Sequence, residues 1–247
     1  MNEIIYMDNA ATTRLSQEAF DAMLPFLRDD FGNASTLYDL GRKSHAAIEQ
    51  SREIIAGIIN AEPEEIFFTS GGTEADNWAL FGAAENCKHI ITSKIEHHAV
   101  LNTCKALEVR GVNVTYLDVD SSGRVDPEKV REAIRPDTVL VSIMAANNEI
   151  GTIQELEEIG NITRANGVSF HTDAVQAFGK EFIDVKRMNI DYLSASSHKI
   201  YGPKGVGFLY MRRGKYLPSM LHGGGQERGR RAGLSKNGKY CRDCRVC

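Results

Sequence analysis

Cysteine is scarce along most of this chain. Of five in 247 residues, Cys241, Cys244 and Cys247 crowd the carboxyl end, leaving only Cys87 and Cys104 elsewhere. No disulfide framework is implied, and Cys87 and Cys104, within or beside helical segments, read as buried or half-buried thiols. Basic surplus is missing too: 29 Lys and Arg against 33 Asp and Glu leave a net charge of −4, which argues against nucleic acid as the main partner. The opening Met1-Asn2-Glu3-Ile4-Ile5-Tyr6 has neither a basic region nor a long apolar stretch, so no secretory signal is expected. No run is long enough to cross a membrane, and the expected location is the cytoplasm. Internal repeats and low-complexity linkers are absent. What is present is a chain with apolar residues at 42%, enough for the core of one large domain or of about one and a half ordinary ones.

After an N-terminal arm over residues 1–14, Gln17 to Arg28 and Gly41 to Ile59 carry the spacing of amphipathic helices. From Glu65 to Arg212 short apolar strands alternate with helices, with turn signals between them. That alternation predicts an α/β fold, a mostly parallel sheet with helices on both faces. In such sheets ligands bind beyond the carboxyl ends of the strands.

Several of those ends carry chemistry. Ser196-Ser197-His198-Lys199 follows the apolar stretch Asp191-Tyr192-Leu193-Ser194-Ala195 and precedes Ile200-Tyr201-Gly202-Pro203-Lys204-Gly205, so Lys199 reads as a lysine on a tight turn at a strand end. An amine becomes a covalent catalyst only when desolvated and held; the plain alternative is a surface lysine. Val168-Ser169-Phe170-His171-Thr172-Asp173 alternates like a strand and ends in an acid, which is either a ligand group or a turn residue. A lysine and an acid on neighbouring strand ends are the pair that pyridoxal 5'-phosphate enzymes use, the lysine as Schiff-base former and the carboxylate as partner of the ring nitrogen. Ile66-Phe67-Phe68-Thr69-Ser70 runs into Gly71-Gly72-Thr73-Glu74-Ala75-Asp76, a glycine turn that opens a helix and offers free N–H groups to a phosphate. Thr73 with Asp76 equally fits a plain helix cap. Glu96-His97-His98-Ala99 stands at another predicted helix start, where an imidazole either passes protons or merely ends the helix.

Taken together, Met7-Asp8-Asn9-Ala10-Ala11-Thr12-Thr13, the glycine turn, Asp173, Lys199 and Gly223-Gly224-Gly225-Gln226-Glu227-Arg228 resemble the cysteine desulfurases of the NifS/IscS type, in the class V aminotransferase group of fold-type I pyridoxal phosphate enzymes. The resemblance runs from about residue 4 to 233. It implies that residues 15–233 form a cofactor-binding large domain. Gly72 and Thr73 would contact the phosphate, with Ser196 and His198 closing the other side. His97, selected over His98 by the Glu-His-x-Ala pattern, would lie on the ring, Asn148 would contact it, Gln176 would donate to its phenolic oxygen, and Asp173 and Lys199 would act as above. Lys199 and His97 would be catalytic. It further implies L-cysteine as substrate, L-alanine and a persulfide as products, a homodimer in intact members, and acceptor or scaffold proteins of iron–sulfur assembly as partners. A selenocysteine lyase or a class V aminotransferase would share the cofactor residues, and a non-catalytic binding remnant is a further alternative. In the stretch Gly32 to Tyr38, Ala34 stands where proline is usual and Tyr38 where histidine is usual, which bears on substrate handling.

Past Arg230-Arg231-Ala232-Gly233 the likeness stops. The family continues with a threonine and a carboxyl-terminal domain carrying a loop cysteine and a substrate-binding arginine; here Leu234 to Cys247 form a basic, cysteine-rich tail, so a truncated and inactive form is expected. Cys241-x-x-Cys244-x-x-Cys247 has a metal-site spacing but no fourth ligand nearby, so no metal is assigned. The genetic code allows these seven residues to be written so that a one-base shift reads Ala-Gly-Ile-Val-Gly-Phe, which suits a buried helix far better. A frame slip near the codons for Gly233 to Asn237 is the expectation.

Overall fold

In the computed structural model, which describes residues 5–86 and 88–233, the apolar strand segments pair into one seven-stranded sheet. In chain order the strands are β1 (Ile66–Thr69), β2 (His89–Ser93), β3 (Asn113–Leu117), β4 (Thr138–Ser142), β5 (Ser169–Asp173), β6 (Tyr192–Ser196) and β7 (Gly207–Met211). In space they run β1-β7-β6-β5-β4-β2-β3. Neighbours from β6 through β5, β4 and β2 to β3 are parallel, while β7 runs antiparallel to both β6 and β1. The mostly parallel sheet expected from the alternation is therefore present, with one strand reversed. The reversal follows from connection length. A parallel return needs a crossover of about a dozen or more residues, usually a helix, and Ser197 to Val206 is a tight turn rich in Gly and Pro.

Six helices are described: α1 (Gln17–Arg28), α2 (Asp39–Ile58), α3 (Gly72–Ala83), α4 (His98–Val109), α5 (Pro127–Ala133) and α6 (Leu156–Ala165). Helix α1 begins where Ser16 Oγ accepts from Ala19 N at 3.1 Å, which satisfies one of the free N–H groups of its first turn. The sheet separates two apolar cores, and successive residues of one strand feed opposite cores. Ile66, Phe68, Leu193, Phe208 and Tyr210 pack with Ile48 of α2, Val130 of α5 and Ile159 of α6. Phe67, Tyr192, Leu209 and Met211 pack on the other face with Trp78 and Leu80 of α3 and Val100 and Leu107 of α4. Helices thus cover both faces, as the sequence predicts.

Because β1, β2, β4, β5 and β6 point the same way, their carboxyl ends and the start of α3 meet at one edge. One outer segment closes over that edge and a second is pinned beside β1. The N-terminal arm is tied to the β6–β7 turn by Thr13 N to His198 O at 2.8 Å, Tyr201 N to Thr13 Oγ1 at 2.7 Å and Ser16 N to Tyr201 O at 3.0 Å. The stretch 222–233 is tied back by Glu227, whose Oε2 accepts from Phe68 N at 3.0 Å and from Arg52 Nη1 at 2.9 Å. The readings made for the 234–247 tail and for Cys87 lie outside the described residues.

Candidate active site

The carboxyl-end edge encloses a cavity of about 710 Å³, and all nine residues singled out in the sequence line it: Gly72, Thr73, His97, Asn148, Asp173, Gln176, Ser196, His198 and Lys199. They arrive from five places. Gly72 and Thr73 open α3; His97 caps α4, its Nδ1 accepting from Ala99 N at 3.1 Å. Asn148 follows β4, Asp173 and Gln176 end and follow β5, and the remaining three end and follow β6. Strands β5 and β6 are adjacent, which brings Asp173 and Lys199 to neighbouring strand ends.

Lys199 is half-buried. Its Nζ donates to the carbonyl of Ala10 and, at 2.7 Å, to that of Ala11, so the arm supplies its hydrogen-bond partners. Gln176 Nε2 donates to the same Ala10 carbonyl at 2.8 Å. Partial burial lowers the Lys199 pKa, helped by the nearby positive charge of Lys180 and opposed by Asp173 and Asp8. A lysine tuned downward beside an acid in a cavity is the condition under which an amine becomes a nucleophile or a base. Asp173 is buried; Oδ1 accepts from Val175 N at 2.9 Å. Burial raises its pKa, opposed by that bond and by the charges of His97 and Lys199.

At the opposite side the helix start is bare. Gly71 precedes α3 with no side-chain cap, and Thr73 lies inside the first turn, so Thr73 does not cap the helix as the plain reading would have it. Asp76 lies deeper in the helix and is buried. A Cβ on Gly72 would come 2.5 Å from Val175 Cγ2, and one on Gly207 would come 2.7 Å from Gly71 Cα, so close packing demands glycine at both. A hollow of about 360 Å³ opens here, lined by Ser70 to Glu74, Ser196, His198 and Lys204 among others. Bare N–H groups, the helix dipole and the Lys204 ammonium in the lining form an environment for an anion. His198 is held by Thr12, Nδ1 lying 3.0 Å from Oγ1.

Two buried acids were not legible as site residues. Asp76 lines the cavity floor with Oδ1 lacking a hydrogen-bond partner, 3.6 Å from His171 Nε2. His171 is held between Ser142 Oγ and Ser194 Oγ at 2.8 and 3.0 Å, and burial pushes its pKa down to about 3, so it is neutral. Burial, with repulsion from Asp173 and Glu96, holds the Asp76 pKa well above the carboxylate range despite a bond to Ser194. Glu96 accepts from Ser93 Oγ at 2.6 Å and from Met144 N at 3.0 Å, yet burial pushes it up to about 8. For Asp76 the one sequence signal was an acid standing among the apolar residues Ala75, Trp78, Ala79 and Leu80 that α3 buries. Among the described residues no cluster of His, Cys, Asp and Glu is set to hold a metal ion.

Comparison with known proteins fits this arrangement. The class-V aminotransferase family model matches residues 5–235. The chain is 56% identical over 236 residues to a cysteine desulfurase IscS of Methanosarcina thermophila, and 52% identical over 235 residues to a putative cysteine desulfurase IscS 1 of Bacillus subtilis. These alignments cover 94% of this chain and 58% and 62% of the relatives, so the chain spans about three fifths of their length. Among solved structures, a NifS-like protein superposes with a TM-score of 0.94 at 42% identity, over 98% of this chain and 68% of that one. SspA in complex with cysteine superposes at 0.95 with 46% identity, over 98% and 71%. With the family model matching nearly the whole described chain and the same sheet found in those structures, this chain belongs to the class-V aminotransferase family.

Proposed function

We propose that this chain is the cofactor-binding part of a pyridoxal 5'-phosphate-dependent cysteine desulfurase. The observation that carries the reading is the convergence on one cavity of Lys199, the buried Asp173 on the adjacent strand end and the glycine-lined start of α3. That donor set fits the cofactor: an amine for its aldehyde, a carboxyl for its ring nitrogen and bare N–H groups for its phosphate. When bound, the cofactor supplies a protonated ring that takes up electrons as a bond at the substrate α-carbon breaks. Asp173 would keep the proton on the ring nitrogen. Gly72, Thr73, Ser196 and His198 would hold the phosphate, Asn148 and Gln176 the ring substituents, and His97 the ring face. Lys199 would hold the cofactor covalently and then, freed by the substrate amine, move the α-proton, with His97 assisting.

L-cysteine as substrate is supported by the relatives' names and by the neighbour solved with cysteine. In a desulfurase the substrate C–S bond breaks, a thiol takes the sulfur as persulfide, and the alanine methyl gains the balancing proton. The described residues offer no such thiol: Cys104 is fully buried on α4, burial pushing it up to about 12. No arginine lines the cavity either. For the described residues, those two observations favour a second reading, cofactor binding without turnover. A homodimer, acceptor or scaffold proteins of iron–sulfur assembly and a cytoplasmic location belong to the first reading.

The test is to incubate the full chain with pyridoxal 5'-phosphate, record a visible absorbance band, reduce with borohydride and map the labelled peptide. The label is expected on Lys199 and absent from Lys199→Ala. A label on Lys204 instead overturns the site assignment.

A further inference from the structure

A negative charge stands beside the proposed phosphate position. Helix α3 opens Gly72-Thr73-Glu74, which puts a carboxylate in the first turn, next to the N–H groups meant for an anion. Left to itself that carboxylate would satisfy the helix dipole and repel phosphate. The structure turns it away. Glu74 Oε2 accepts from Ser70 N at 2.8 Å, and Arg231 grips both oxygens, Nε to Oε1 at 2.8 Å and Nη2 to Oε2 at 2.9 Å. The pair is shielded, with side chains 10% and 15% exposed, so it escapes the screening that makes surface pairs weak. Burial works to raise the Glu74 pKa, but the bonds from Arg231 and Ser70 outweigh it and hold it below its ordinary value. Arg231 owes its place to the stretch 222–233, which Glu227 anchors to Arg52 and Phe68.

We propose that Arg231 is a positioning residue for anion binding: by pairing Glu74 it sets the charge of the hollow at the start of α3, and with it the affinity for the phosphate group rather than for the ring. This rests on the reading of that hollow as the phosphate site. A bidentate pair brings no net charge to the hollow, so the N–H groups at the start of α3, with Lys204 also in the lining, meet an incoming anion without a free carboxylate beside them.

The test compares pyridoxal 5'-phosphate with pyridoxal, which lacks the phosphate, in titrations of the full-length apoprotein, with inorganic phosphate as competitor. Arg231→Gln leaves an unpaired carboxylate and is expected to weaken the phosphorylated ligand about tenfold while moving pyridoxal less than about twofold. Glu74→Gln keeps the arginine charge and is expected to tighten the phosphorylated ligand and inorganic phosphate severalfold; it also decides the matter if Arg231→Gln does not fold. The double variant should return to within about threefold of wild type. Equal shifts for both ligands, or no shift in Glu74→Gln, overturn the role of the pair. Wild-type protein that binds both ligands equally well overturns the phosphate reading itself.

Discussion

At the scale of single residues, burial decides what the acids under the cavity do. Asp76, Glu96 and Asp173 are all raised above their ordinary values, and only Asp173 has Lys199 and His97 to draw it back. A group with its folded pKa raised binds a proton more tightly folded than unfolded. Its stabilising contribution is therefore full below the unfolded value and lost as pH rises through the folded one. For Glu96 that window runs from the ordinary value of 4.5 to about 8, at up to about 1.4 kcal/mol per pH unit. His171, depressed to about 3, acts with the opposite sign as pH falls below 6.5, so the clean interval is pH 6.5 to 8. Glu96→Gln is expected to melt with a flatter pH dependence than wild type across that interval. Parallel melting curves at all pH values would show that Glu96 is ionised in the fold. Asp173 and Lys199 were legible because each ends an apolar strand run. Glu96 was not, because the backbone amide that holds it comes from Met144, far along the chain.

At the scale of elements, one buried ion pair joins three pieces that the sequence keeps apart. Arg52 of α2 donates to Glu227 through both terminal nitrogens and to Ile66 O of β1 at 2.6 Å, while Glu227 accepts from Phe68 N. Glu227 and Arg228 reach this position in left-handed backbone, φ 45° and 57°. Nothing in the glycine-rich Gly223-Gly224-Gly225 run announced that a buried anchor follows it. Breaking a buried pair leaves an uncompensated charge and costs about 3–5 kcal/mol, whereas an exposed pair such as Arg124 with Glu155 is worth about 1 kcal/mol or less. Glu227→Ala is thus expected to lower the urea midpoint strongly, and Glu155→Ala hardly at all; comparable small losses would mean that water reaches the Arg52 pair. The alternation of strands and helices was readable from periodicity, α1 to the residue and α2 to within two residues at its start. The reversal of β7 was not, since periodicity gives no direction and only the short β6–β7 connection imposes it.

At the scale of the whole molecule, the sheet buries two cores but α1 keeps an apolar face outward. Phe20, Leu24 and Leu27 are 44%, 45% and 59% exposed at i, i+4 and i+7, one stripe of a helix, and Phe31 just beyond is 69% exposed. The same helix buries Ala19 and Met23 inward, so the stripe is not a helix turned the wrong way. Single exposed apolar residues need no account, but a continuous stripe drives association, and a net charge of −4 gives little repulsion to oppose it. The full chain is therefore expected to self-associate as its concentration rises, read by size-exclusion chromatography with light scattering. Apolar association strengthens in sulfate salts and survives screening, whereas charge-driven association weakens in salt, so the two are separable. Replacing Leu24 by Glu and Leu27 by Lys, three residues apart and of opposite sign, keeps the helix and interrupts the stripe. That variant should shift toward monomer with an unchanged melting temperature. Wild-type protein that stays monomeric throughout would overturn the expectation of association, and a variant that associates just as strongly would place the association surface elsewhere than on α1.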